Sequence, residues 1–225
     1  MTDESMELEF LEAIRQGDED AVMRLLNVRP DLANAQSEEG ASATLYALYH
    51  QRAALAERIA DTKSPGIPLS IFEAAALGRV PVVREILDAD PTLANAVAPD
   101  GFTSLGLAAF FGRRDVVTVL LDRGANPNIA SSNAMHVAPL HSAVAAQHLG
   151  IAAALLAHGA DANAVQADEY TPLHEAAHVG HVEMIELLLH HGANRQAKLR
   201  DGRTPLDSAR AAGQTEAITI LERSA

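Results

Sequence analysis

The chain has 225 residues, a net charge of −13 and no cysteine, which excludes a disulfide framework or thiolate zinc site and makes phosphate backbones poor partners. Nearly half the residues are apolar but only 4% are aromatic, a balance that suits closely packed small helices better than a sheet core. The longest apolar runs fall short of a membrane span, and the acidic start, Met1 to Glu7, lacks the basic-then-apolar order of a signal peptide. A cytoplasmic protein that engages neither nucleic acid nor membrane is expected.

In chain order, Phe10 to Gln16 and Ala21 to Leu26 read as two short helices separated by Gly17. The first twenty residues carry eight acids against one base, Arg15, as befits a solvated terminal cap. The exit from this unit, Pro30-Asp31-Leu32-Ala33-Asn34-Ala35, is echoed as Pro91-Thr92-Leu93-Ala94-Asn95-Ala96, and in both copies the proline is expected to stop the second helix. The next unit deviates: Gly40-Ala41-Ser42-Ala43-Thr44 opens it, and a helix around Ala53 to Ala60 runs into Asp61-Thr62-Lys63-Ser64-Pro65-Gly66-Ile67-Pro68. The interval that follows is too short for both a complete second helix and a full hairpin tip. An irregular turn and a missing or altered hairpin are expected there, or else residues 1–62 form a loosely coupled subdomain.

From residue 98 the pattern is regular. Thr171 is a good helix N-cap, Pro172 suits the first helical position, and Gly180 can take the left-handed geometry that ends a helix. A second helix from about His181 to His191 places Val182, Ile185 and Leu188 or Leu189 on one stripe. Helices this short need neighbours against which to bury that stripe. The neighbours open with Gly101-Phe102-Thr103-Ser104-Leu105, Ala138-Pro139-Leu140-His141 and Gly202-Arg203-Thr204-Pro205-Leu206. Positions equivalent to Leu173 are Phe10, Thr44, Ile71, Leu105, Leu140 and Leu206, spaced by 34, 27, 34, 35, 33 and 33 residues. The closing signature recurs as Gly124-Ala125-Asn126-Pro127-Asn128, Gly159-Ala160-Asp161-Ala162-Asn163 and Gly192-Ala193-Asn194. The two-residue excess before Leu140 belongs in a hairpin loop, where insertions are tolerated. The last unit carries Arg195, Lys198, Arg200, Arg203, Arg210 and Arg223, lacks a closing signature and reads as a C-terminal cap.

A period near 33 residues headed by Thr-Pro-Leu-His resembles the ankyrin repeat. The resemblance implies an all-α solenoid of stacked helix-turn-helix units with short hairpin loops, forming a single domain over residues 1–225. Its seven units would cover 3–37, 38–64, 65–97, 98–130, 131–164, 165–197 and 198–225, the first and last being caps. It also implies a non-catalytic protein–protein interaction module, an adaptor or scaffold, with no cofactor or metal and a protein partner of unread identity.

His174-Glu175-Ala176-Ala177-His178 matches the zinc-binding H-E-x-x-H pattern of metalloproteases, with both imidazoles on one helix face and Glu175 as a possible base. Against a zinc-dependent hydrolase stand three facts. His141 repeats the first histidine, Ala108-Ala109 repeats the alanine pair, and Gly180 falls one residue early for the extended motif. A structural hydrogen-bonding role for His174 is therefore preferred.

In ankyrin-like stacks the hairpin tips and the exposed ends of the first helices line a concave face. Five of the eight aromatic residues fall on such positions: Tyr49, Phe102, Phe110, Phe111 and Tyr170. Aromatic and arginine side chains dominate binding hot spots. The expected recognition patch comprises these five with His50, His136, Val137, His178 and Arg203, on a monomer. Packing of Phe110 and Phe111 on neighbouring repeats is the structural alternative. Self-association between the acidic N-terminal and basic C-terminal ends is a further possibility.

Overall fold

A computed structural model describes residues 3–63 and 68–223. Among these residues fourteen α-helices fall into seven antiparallel pairs. They are α1 (Asp3–Gln16) with α2 (Glu19–Val28), α3 (Ala43–Tyr49) with α4 (Ala53–Thr62), and α5 (Ile71–Leu77) with α6 (Val80–Ala89). Then follow α7 (Ser104–Phe110) with α8 (Arg114–Asp122), α9 (Pro139–Ala145) with α10 (Leu149–Ala157), α11 (Pro172–Val179) with α12 (Val182–His190), and α13 (Pro205–Ala211) with α14 (Thr215–Glu222). No strand forms among the described residues; two isolated bridges, Gln36–Ser42 and Val97–Thr103, pin hairpin tips. The all-α repeat solenoid is thus observed.

The sequence signals act as expected. Thr171 accepts a hydrogen bond from the His174 amide, Pro172 occupies the first helical position, and Gly180 closes α11 at φ +80°. Phe10, Ile71, Leu105, Leu140 and Leu173 are all buried, and Leu206 is half-buried. Met184, absent from the expected stripe of α12, is fully buried beside Ile185 and Leu188. Pro30 and Pro91 do end the helices before them, and each then opens a 3-10 helix, Pro30–Asn34 and Pro91–Asn95.

The closing signature proves to be a ladder. Asn95 donates to the Gly124 carbonyl and accepts from the Asn126 amide, at 3.2 and 2.7 Å. Asn128 does the same with Gly159 and Asp161, and Asn163 with Gly192 and Asn194. One amide side chain therefore satisfies two backbone groups of the following repeat, at the helix ends where such groups lack intrahelical partners.

At the irregular second unit, α4 is a complete ten-residue helix, so the shortened interval is taken from the connection that follows it. The expected turn at Ser64–Ile67 lies outside the described residues. Counting back from the glycines that end the helices, Ile71 holds the place of Leu173, but α5 begins one residue later and is capped by Ser70. The tip at 37–41 meets the tip at 98–102. A side chain on Gly40, at φ +87°, would lie within 3 Å of the Pro99 backbone. Beneath this junction the Lys63 ammonium lies 2.7 Å from Oε1 of Glu73, both side chains almost wholly buried. Ser42 Oγ donates to the same oxygen, while the Ser70 amide and hydroxyl donate to Oε2. Burial alone would raise the Glu73 carboxyl, but the Lys63 ammonium and these donors outweigh it and hold the group below its ordinary range.

Candidate functional site

Successive tips are laced by main-chain hydrogen bonds: Ser132 to Gly101, Ala167 to Met135, and Arg200 to Asp168. The two extra residues of the fifth unit sit in its tip, where the Ser131 amide reaches the Val137 carbonyl across six positions; the other tips close across four. Between these tips and the first helices of each pair runs a furrow of three connected hollows. The first lies between Tyr46, Tyr49, His50 and the tip Pro99–Phe102. The second, about 400 Å³, lies over Gly106 and Leu107 and is walled by Phe110, Met135, Val137 and Ala145. The third lies between Tyr170, Glu175, Arg200 and Arg203. Tyr49, Phe102 and Met135 border the first two, and Gln166 and Glu175 border the second and third.

Of the ten residues expected in a recognition patch, seven line this furrow: Tyr49, His50, Phe102, Phe110, Val137, Tyr170 and Arg203. Three do not. Phe111 is half-buried, stacks on Tyr49 at 6.1 Å and packs on the core of the first two pairs, so it stands behind the surface. Phe110, edge-on to it at 5.2 Å, remains 46% exposed. His136 is exposed in its tip with φ +50° and is not among the residues lining the furrow. His178 is exposed at the end of α11, and its carbonyl accepts from Gln214 of the next repeat. Met135, 52% exposed, was legible only as a tip position, and Leu107, Gln166 and Glu175 carried no signal in the repeat pattern.

Polar groups in the furrow are paired. Tyr49 donates to Asp100 at 2.8 Å, and burial followed by the Asp100 charge raises its phenol well above the ordinary tyrosine range. Burial likewise raises Tyr170, with the Glu175 carboxylate adding to the effect. Arg203 is paired with Asp201 at 2.7 Å, and Arg200 lies 3.4 Å from Asp168.

The H-E-x-x-H histidines are not disposed as a metal pair. His174 is fully buried; its Nε2 donates to the Arg203 carbonyl and its Nδ1 accepts from Thr171, so both ring nitrogens are engaged. His178 is exposed at the other end of the helix. His141 repeats the first arrangement in part, with Nε2 donating to the Tyr170 carbonyl at 3.2 Å. Its cap is Ala138, which has no hydroxyl, and its Nδ1 has no hydrogen-bond partner among the described residues. Burial pushes this imidazole down to about 4 and lowers His174 as well. Both imidazoles therefore serve the fold, each tying one repeat to the next.

A family profile of ankyrin repeats (three copies) matches residues 71–166 and 140–224, which together span more than half of the chain. The chain belongs to the ankyrin-repeat family. Ankyrin repeats generally serve as protein–protein interaction modules and are generally non-catalytic. A stretch of 62 residues, 27% of the chain, is 42% identical to a probable E3 ubiquitin-protein ligase, XBOS31, of Oryza sativa subsp. japonica. This chain covers only 14% of the length of that relative. Among the described residues, no helix of this ankyrin protein is long and apolar enough to cross a membrane.

Proposed function

We propose that the chain is a non-catalytic adaptor, one ankyrin domain over residues 1–225 whose concave furrow docks a protein partner. The observation that carries this reading is the apolar middle of the furrow. Phe110 and Met135 are about half exposed there, side by side with Phe102 and Val137, on a frame already tied together by tip-to-tip hydrogen bonds. Large apolar side chains left in water mark interaction sites, and a preformed frame reduces the ordering cost of binding. The net charge of −13 favours a protein over nucleic acid. The module is read as a cytoplasmic monomer without cofactor. Ligase activity, which the rice relative's name gives to that protein, is not carried over.

Affinity capture from the native host tests the reading, comparing the wild type with the Phe110→Ala/Met135→Ala double variant at equal thermal stability. The expected result is a reproducible partner lost in the variant. Retention of every captured protein by the variant would overturn it.

A further inference from the structure

The hollow over Gly106 is the space of a missing imidazole. In α9 and α11 the third residue after the cap is histidine, and its Nε2 reaches the carbonyl just before the next cap: His141 to Tyr170, and His174 to Arg203. In α7 the third residue after Thr103 is Gly106, and the corresponding carbonyl is that of Val137. Among the described residues no side-chain hydrogen bond spans that gap, and the hollow of about 400 Å³ opens beside it. Its size falls within the range of ligand pockets, roughly 300–1,000 Å³. The walls are largely carbon, from Leu107, Phe110, Met135 and Val137. The hollow is open at both ends into the furrow, through Tyr49 and Phe102 on one side and Gln166 and Glu175 on the other. A polypeptide can therefore enter and leave while one side chain drops in.

The charge on the lining of the hollow itself is acidic; Arg200 and Arg203 stand beyond its far rim, in the third hollow. Among the described residues no lysine or arginine lines this hollow or the one beside Tyr46 and His50. Glu175, half-buried at the far rim and accepting from the Tyr170 hydroxyl, is the carboxylate that lines this hollow; Glu39 and Asp100, the latter accepting from Tyr49, line the neighbouring one. We propose that the Gly106 hollow receives one large apolar side chain of a protein partner, and that an adjacent lysine or arginine of the partner pairs with Glu175. This rests on the docking-face reading above and specifies its anchor.

Two indole fragments test it. Tryptamine carries the aromatic ring and a cation; indole-3-acetate carries the same ring and an anion. Methyl-resolved NMR titration of the full chain should show tryptamine perturbing Met135, Leu107 and Val137, with indole-3-acetate at least tenfold weaker. Gly106→His, which restores the neighbours' imidazole, should weaken tryptamine at least tenfold without lowering the melting temperature. Ala145→Gln, filling the hollow from an exposed helix end, should do the same if the first variant fails to fold. Glu175→Gln should erase the preference for the cation. Equal affinity for the two fragments, perturbations elsewhere, or binding undiminished in the filled variants would overturn the proposal. Concentration-dependent shifts of these methyls without any fragment would assign the hollow to a second copy of the chain, and would also overturn it. If the fragments fail while Phe110→Ala/Met135→Ala still abolishes partner capture, the anchor is wrong and the docking face stands; if both fail, neither does.

Discussion

Tyr49 donates its hydroxyl to Asp100 at 2.8 Å although the whole α5–α6 pair intervenes between them in the chain. The contact accompanies the meeting of the tip at 37–41 with the tip at 98–102. It is secured below by the buried pair Lys63–Glu73. Removing one partner of such a pair leaves an uncompensated charge in a site that cannot hydrate it. Lys63→Met is expected to destabilise the protein by about 3–5 kcal/mol. The Lys63→Met/Glu73→Gln double variant should recover part of that loss, because the lone carboxylate is then gone. Urea unfolding of the wild type, Lys63→Met, Glu73→Gln and the double variant measures the coupling, and strictly additive losses would contradict it.

His141 offers the opposite case, a missing partner that can be supplied. Ala138→Thr places a hydroxyl where Thr171 serves His174, giving Nδ1 a donor and the α9 amides a cap. The expected gain is about 1 kcal/mol, from a cap and one buried hydrogen bond. It should appear as a rise of roughly 2–4 °C in melting temperature. No rise, with the fold intact, would mean that the orphaned nitrogen costs the protein little.

The same residue sets a pH dependence. His141 is held near 4 in the folded chain, below its ordinary 6.5, so the unfolded chain binds the proton first as pH falls. Its contribution to stability is therefore complete above about 6.5 and is lost progressively between 6.5 and 4. For this one group the loss between pH 7 and pH 5 is about 2 kcal/mol. His174, shifted the same way, steepens the slope, and Glu73, held below its ordinary range, adds a further loss once pH falls below 4.5. Urea midpoints across this range should fall, with a shallower slope in His141→Gln.

Phe110 and Phe111 are adjacent but separable. Phe110→Ala should change stability by no more than about 0.5 kcal/mol, as expected for a surface substitution away from the core. Phe111→Ala should cost about 2–3 kcal/mol, somewhat less than truncating a fully buried phenylalanine. Thermal melts distinguish them, and equal losses would place both side chains in the core.

The repeat was legible because its signals are local. Thr171, Pro172 and Gly180 each act through the backbone within a turn of themselves, and the Leu173 positions recur at a fixed interval. What escaped was information that exists only between repeats. The asparagine ladder depends on Asn95, Asn128 and Asn163 reaching the following repeat, and neither partner's own segment reveals it. The division between Phe110 and Phe111 depends on Tyr49, 62 positions before Phe111 in the chain. The hollow depends on what Gly106 lacks compared with His141 and His174, an absence that shows only when the units are set in register.

The shortened connection after α4 has one more consequence. In the buried interior each helix pair adjoins the pair next to it in the chain, but along the rim the tip at 37–41 adjoins the tip at 98–102. Two orderings of the same modules therefore coexist. A change of a few residues in one loop rewrites which side chains share the outer surface and leaves the interior sequence of neighbours untouched.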